Sequence, residues 1–216
     1  KGIGSNNWAV HGSKTASGAP LLANDPHLSL SFPSIWYVMH LNTPGLNVMG
    51  ATLTGAPGVI IGFNDSIAWA VTNAQRDLVD WFKIEFQNKN RNAYLSDGEW
   101  KPVQKKIEKI LVRGGDVFYD TVIYTHHGPV VYDNSFHDES ERNGYAFRWI
   151  SHDGSQELKT LYKLNRGHNY DDYMEALNHW SGPAQNFAFA SHEGDIAMRI
   201  QGKFPLRRHP RGAYKG

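Results

Sequence analysis

Short runs of apolar and aromatic residues, each bounded by turn signals, dominate the chain. They predict strands over 8–12, 35–41, 46–49, 59–63, 67–71 and 81–86, and again over 106–112, 121–125, 145–149, 187–190 and 196–200. The punctuation between them is Pro-Gly at 44–45, Asn-Asp at 64–65, Asp-Gly at 97–98, Gly-Gly at 114–115 and Glu-Gly-Asp at 193–195. Two stretches change period. Residues 155–164 carry Leu158, Leu161 and Tyr162 at helical spacing, with Ser155 as N-cap, and residues 170–180 place Tyr173, Leu177 and Trp180 on one face after Asn169. The polar stretch 87–91 reads as a solvated hairpin tip. Strands, then two helices, then more strands predict an α+β protein with a mostly antiparallel sheet.

Composition sharpens this picture in three ways. The 21 Gly, 10 Pro, 7 Trp, 10 Tyr and 10 Phe of the 216 residues favour sheets and turns over helices. A formal charge of +1 argues against a dedicated nucleic-acid binder. The longest apolar runs, near 58–63, fall far short of a membrane span. There are no cysteines, which removes disulfides, thiolate nucleophiles and cysteine metal sites at once, so any nucleophile is an oxygen or an amine. The N-terminus lacks the apolar core of a signal peptide. The basic tail (Lys203, Arg207, Arg208, Arg211, Lys215) stops at Gly216 without a closing element, as expected of a chain cut inside a larger protein.

Among the hydroxyl residues, Ser5 stands out by its setting. It follows Gly4 and opens Ser5-Asn6-Asn7-Trp8, a polar step into a strand, and Asn24-Asp25-Pro26-His27 comes about twenty residues later. Gly62-Phe63-Asn64 and Ala68-Trp69-Ala70-Val71-Thr72-Asn73 follow, then His127-Gly128-Pro129-Val130, Arg148-Trp149, Gln185-Asn186-Phe187, Gly194-Asp195-Ile196 and Gly202-Lys203-Phe204-Pro205 with Arg207. On these co-linear motifs the chain resembles the penicillin acylase (penicillin amidase) family of N-terminal-nucleophile hydrolases. The resemblance covers nearly all of the chain and only the front part of the family's β chain.

The resemblance implies an αββα sandwich, here a partial fragment over 1–216, with residues 1–4 as leftover linker before the nucleophile. It implies that Ser5 is the nucleophile, freed by autoproteolysis at Gly4–Ser5 in an N→O acyl shift. The α-amine so created has a pKa of about 7.7–8.0, low enough for the residue to act as its own base. His27 matches the position that holds the amine or hydroxyl, Asn73 and Asn186 the backbone and side-chain oxyanion donors, and Arg207 an arginine near the site. Leu28, Ile61 and Val71 match the lining of an acyl pocket and are all apolar here, favouring an apolar acyl chain.

Asp77, Val79 and Asp80 match a structural calcium segment; catalysis itself needs no cofactor. Calcium takes six to eight oxygens, so these residues alone are an incomplete set. Implied partners are a small N-acyl substrate, of the penicillin side-chain or acyl-homoserine lactone type, and the α chain and remaining β chain of the same precursor, with neither nucleic acid nor membrane. A periplasmic or secreted location is implied by the resemblance alone. His126 and His127 suggest a metal pair, but neighbours on a strand face opposite ways, so a loop residue beside a core residue is expected. Two rival readings stand: an extracellular β-rich binding module with an aromatic surface, and a catalytically inactive acylase relative.

Overall fold

Alternation of apolar and polar side chains becomes β structure through most of the chain. The computed structural model describes residues 4–132, 143–206 and 214–215. In order, the first strands are β1 (Ser5–Val10), β2 (Leu21–Pro26), β3 (Trp36–Thr43), β4 (Leu46–Leu53), β5 (Ile61–Asn64) and β6 (Ile67–Asn73). Then come β7 (Val79–Glu85), β8 (Ala93–Ser96), β9 (Glu99–Pro102), β10 (Gln104–Ile110), β11 (Phe118–Thr125), β12 (Gly128–Tyr132) and β13 (Asn143–Trp149). Helices α1 (Glu157–Leu164) and α2 (Tyr170–Leu177) precede β14 (Gln185–Ser191), β15 (Ile196–Gln201) and β16 (Tyr214–Lys215). No helix among the described residues is long and apolar enough to cross a membrane.

The chain divides into two compact units, Lys1–Arg76 with Gly154–Phe204, and Asp77–Asp153 with Pro205–Gly216. The first is built on a six-stranded antiparallel sheet in the order β15-β14-β6-β5-β4-β3. One face of it, through Val48, Ile67, Trp69, Phe187 and Phe189, packs on Leu164 of α1 and Tyr173, Ala176 and Leu177 of α2. The Tyr173 hydroxyl donates to the Phe187 carbonyl (3.0 Å), and burial pushes its phenol pKa upward. Gly50 sits opposite Gly62 in the β4–β5 ladder, where a Cβ on either would lie about 2.1–2.2 Å from a carbonyl of the other strand, so glycine sets the closeness of that pair.

Two helix readings change. Ser155 is not the N-cap of α1; Gln156 takes that place without a side-chain bond, and Ser155 Oγ donates to Glu157 instead. The helix buries Thr160, Leu161 and Leu164, while Leu158 and Tyr162 are exposed, because contact with α2 selects a stripe displaced from the one the spacing suggested. In α2 Asn169 is the N-cap, its side chain accepting from Asp172 N–H (2.9 Å). Trp180 lies beyond the helix end yet still packs on the same core.

The second unit has a six-stranded sheet, β10-β11-β12-β13-β7-β16, and the small β8–β9 hairpin. Its core is Ile84, Phe86, Tyr94 and Ala146. Asp97 and Gly98, both with positive φ (53° and 82°), make the tight β8–β9 turn that the Asp-Gly pair announces. Residues 87–91 do form the bend between β7 and β8. The tail contributes β16, which pairs parallel with β7. The histidine pair is an exposed residue beside a half-buried one, as expected, but not for the expected reason. His126 and His127 occupy the β11–β12 turn rather than a strand, so strand alternation does not apply, and their rings lie 3.7 Å apart. His126 Nδ1 pairs with the Tyr94 hydroxyl (2.7 Å), and His127 stacks on Phe82 at 3.8 Å.

Candidate active site

On the face of the first sheet turned away from the helices, the central strands β14 and β6 carry short side chains. Phe187 and Phe189 point into the helix-side core, so by strand alternation Asn186, Ala188 and Ala190 point the other way. They pair in register with Thr72, Ala70 and Ala68 of β6. Ala70 and Ala188 are fully buried, and the β1–β2 hairpin is what contacts β6 and β14 from this side. Small residues let the hairpin backbone come close enough for its own side chains to bond to the sheet. Asn7 Nδ2 donates to the Asn186 carbonyl (2.8 Å). Asn24 bonds Val71 twice along one edge, accepting from its N–H (3.0 Å) and donating to its carbonyl (3.1 Å), and also donates to the Asn6 carbonyl (3.1 Å).

This attachment has a cause in the topology. The β5–β6 ladder runs only over Gly62↔Trp69 and Phe63↔Ala68, so the amide edge of Val71 that faces away from β14 has no strand beside it. Asn24 fills that role. Asn73 is two residues further along β6, so its N–H points to the same open edge. The closed end of the hairpin, Ala19, Pro20 and Leu22, lines one cleft together with Ala68 and Ala190. Its open end therefore runs toward Asn73 and Gln185, and that end carries Ser5, paired with Pro26.

At the open end, His27 N–H donates to Ser5 Oγ (3.2 Å). The His27 Nε2 atom lies 2.7 Å from Asp25 Oδ2. Asp25 and His27 are two residues apart on extended backbone, which puts both side chains on one side, and Pro26 between them restricts Asp25 to that conformation. His27 Nδ1 faces Gly4; a Cβ built there would lie 3.7 Å from it. The pair is partly open to water, with side-chain exposures of 46% for His27 and 68% for Asp25.

Asn73 and Asn186 meet on adjacent strands. Asn186 Nδ2 donates to Thr72 Oγ1 (3.2 Å) and to the Asn73 carbonyl (3.3 Å), while Gln185 Nε2 donates to Asn73 Oδ1 (3.2 Å). The loop entering β14 is held by Glu157, whose Oε1 accepts from Ser181 N–H (2.9 Å) and Gly182 N–H (3.0 Å). Partial burial works to raise the Glu157 pKa, but the bonds from Ser155, Ser181 and Gly182 outweigh it and hold the carboxyl below its usual value.

The structure therefore brings Ser5, His27, Asn73 and Asn186 to one end of the hairpin and its sheet. The three residues expected to line an acyl pocket are placed differently from one another. Ile61 lines a cleft of about 450 Å³ beside the closed end of the hairpin, Val71 packs against the helix-side core, and Leu28 is 48% exposed just beyond β2. Arg207 lies outside the described residues. Asp77, Val79 and Asp80 belong to the second unit, where Val79 N–H approaches Asp77 Oδ1 at 3.4 Å. Two carboxylates and a carbonyl, through one oxygen each, give three of the six to eight oxygens calcium takes, and no group of three or more metal-binding side chains occurs among the described residues. On their own these residues do not make a calcium site.

Reading the sequence missed Asn7, Asn24, Asp25 and Gln185 as parts of the site. Asn24 and Asp25 stood inside the Asn-Asp-Pro-His stretch, which was a signal for the region without saying what either side chain does.

Residues 1–216 match the family model described as penicillin amidase. The chain is 31% identical to the acyl-homoserine lactone acylase QuiP of Pseudomonas aeruginosa, over 96% of this chain and 26% of the relative. It is 37% identical to the penicillin acylase 2 proenzyme of Pseudomonas sp. strain SE83, over 60% of this chain and 17% of the relative. The chain thus spans about a quarter of the length of the acyl-homoserine lactone acylases it matches. A solved structure, the thermostable penicillin G acylase from Alcaligenes faecalis, superposes with a TM-score of 0.83 over 97% of this chain and 38% of that one, at 24% identity. The fold is the one seen in that penicillin G acylase, represented in part; the first unit holds one sheet with its helix layer and the strand pair that packs on its other face.

Proposed function

The chain belongs to the penicillin amidase family, and from that premise we propose that it is the nucleophile-bearing part of an amidohydrolase that cleaves linear N-acyl amides. What carries the reading is one juxtaposition. Ser5 Oγ accepts the His27 N–H at the hairpin end that runs toward Asn73 and Asn186.

Maturation comes first. Ser5 Oγ attacks the Gly4 carbonyl carbon, the Gly4–Ser5 C–N bond breaks, and an ester to Oγ forms. Water hydrolyses that ester, releasing the preceding segment as a carboxylate and leaving Ser5 with a free α-amine. Glycine before the cut imposes little steric penalty on the bent geometry. The α-amine, with a pKa of about 7.7–8.0, is partly neutral near neutral pH and takes the Oγ proton, through a water, as Oγ attacks the substrate amide. His27 holds the amine or hydroxyl in place. The tetrahedral oxyanion accepts from the Asn73 N–H and the Asn186 side-chain amide, each donor lowering the barrier by about 2.7–4 kcal/mol. The leaving amine departs with the proton, and water then hydrolyses the acyl-Ser5 ester.

The substrate class is an N-acyl amide with an apolar acyl chain, of the penicillin side-chain or acyl-homoserine lactone type, in keeping with the names of the relatives. Arg207 supplies electrostatic support, and Leu28 and Ile61 contribute apolar surface to the acyl pocket, which is completed by the α chain and the rest of the β chain; Val71, turned into the helix-side core, does not. A calcium ion at this segment would be structural: Asp77, Val79 and Asp80 would supply part of its oxygens and the rest of the precursor the others. The mature protein is periplasmic or secreted.

N-terminal sequencing of the full-length protein after expression tests this. A chain beginning at Ser5 is expected, absent in Ser5→Ala, together with hydrolysis of N-acyl substrates that Ser5→Ala abolishes. Undiminished amide hydrolysis by uncut protein or by Ser5→Ala would overturn the assignment.

A further inference from the structure

The Asp25 carboxylate has no part in the chemistry described so far, yet it touches the one ring that borders the Gly4–Ser5 junction. Its Oδ2 lies 2.7 Å from His27 Nε2, while the other ring nitrogen, Nδ1, is the only described atom beyond the chain neighbours within 4 Å of a Cβ built on Gly4. A neutral imidazole carries one N–H donor and one lone-pair acceptor, and which nitrogen is which follows from the partner the other one finds. A carboxylate can only accept, so it requires the proton on Nε2. We propose that Asp25 is a positioning residue that fixes the His27 tautomer and turns the Nδ1 lone pair toward the Ser5 nitrogen.

The consequence falls on both states of the junction. After the cut, the Ser5 α-amine carries N–H donors, and one of them needs an acceptor facing it. An Nδ1–H tautomer would set donor against donor. The Asp25–His27 contact thus aligns the ring for the amine, while the His27 backbone N–H separately holds Ser5 Oγ. The arrangement is written locally: Pro26 keeps Asp25 extended, and the two-residue spacing puts carboxylate and imidazole on one side. The proposal rests on Ser5 being the nucleophile.

The test uses the full-length protein with histidine-selective 15N labelling, the His27 signals being assigned by their loss in His27→Gln. In the wild type a protonated-type Nε2 and a lone-pair-type Nδ1 are expected. In Asp25→Ala both signals move toward an exchange average. The kcat for an N-acyl amide falls about tenfold, the scale of one lost charge-assisted hydrogen bond, with KM unchanged within about twofold. Appearance of the Ser5 N-terminus slows in parallel. Asp25→Asn keeps an acceptor oxygen and restores the nitrogen pattern and most of the rate, which a merely structural or surface ion-pair role would not predict. An Nδ1–H tautomer in the wild type overturns the proposal, as does Asp25→Ala with unaltered nitrogen signals and kcat. The wild-type nitrogen pattern decides alone if neither variant folds. Hydrolysis surviving in Ser5→Ala would instead sink the Ser5 reading; an inactive Ser5→Ala beside a normal Asp25→Ala would sink only the role of Asp25.

Discussion

Replacing Asn24 by Ala tests whether the hairpin that carries Ser5 is fastened to the sheet by a side chain. Three hydrogen bonds disappear: two to the edge of Val71 at 3.0 and 3.1 Å, and one to the Asn6 carbonyl at 3.1 Å. Each is worth about 0.5–1.5 kcal/mol net. Alanine also leaves the Val71 N–H and carbonyl without their partner in a half-buried position, to which water has partial access. A loss of about 2 kcal/mol follows, concentrated in the hairpin and the end of β6. Since about 1.4 kcal/mol is a factor of ten, the Val71 amide should lose roughly 30-fold in hydrogen-exchange protection, read by mass spectrometry on peptides spanning 67–73 of the full-length protein. The Phe189 amide, in the part of β14 facing Trp69, serves as internal control and should not change. Because the loosened hairpin carries Ser5, kcat should fall along with protection. Asn24→Asp keeps the acceptor for Val71 N–H but sets a carboxylate oxygen against the Val71 carbonyl, so it should not rescue. Unchanged exchange at Val71 in Asn24→Ala would refute the fastening argument.

Two further outcomes are expected. Glu157→Ala should cost about 2 kcal/mol by stranding the Ser181 and Gly182 N–H groups, and should disorder the approach to Asn186 so that kcat drops. Because the folded Glu157 pKa is depressed, its contribution is present above the ordinary carboxyl value of 4.5 and is lost as pH falls through the lower folded value; urea unfolding across acid pH should show that loss in the wild type and not in Glu157→Gln. For His127, burial first and the adjacent His126 second bring the pKa down to about 4. The unfolded ring takes up its proton first, so this residue's contribution to stability declines as pH falls from 6.5 toward about 4 and levels off below it. Replacement by Gln should flatten that part of the pH–stability curve followed by tryptophan fluorescence.

Local chemistry was the legible part. Tight turns such as Asp97-Gly98, the Asn169 cap and the strongly periodic strands β4, β6 and β14 are determined by neighbouring residues, and they form about where the pattern places them. Strand β2 was not legible: Leu-Leu-Ala-Asn-Asp-Pro is polar at its centre and ends in proline. It is a strand because β1 pairs with it and Asn24 ties it to Val71. The same limit explains α1, where the buried stripe depends on how α2 lies across it, as in the Thr160 hydroxyl bond to the Ala176 carbonyl.

Asparagine is the clearest case. Asn64 accepts from Ser66 and Ile67 N–H and donates to the Gly167 carbonyl, and Asn165 makes a two-way pair with the Val59 backbone more than a hundred residues away. By itself the sequence determined the β-rich α+β class, the absence of a thiol nucleophile and the motif string that includes Ser5, His27, Asn73 and Asn186, since these depend on composition and order along the chain. Only the tertiary structure decided which asparagines hold backbone edges. It also decided that the hairpin delivers Ser5 to the end of the sheet where Asn73 and Asn186 meet. A backbone edge is left open by where another strand departs, and no local pattern encodes that departure.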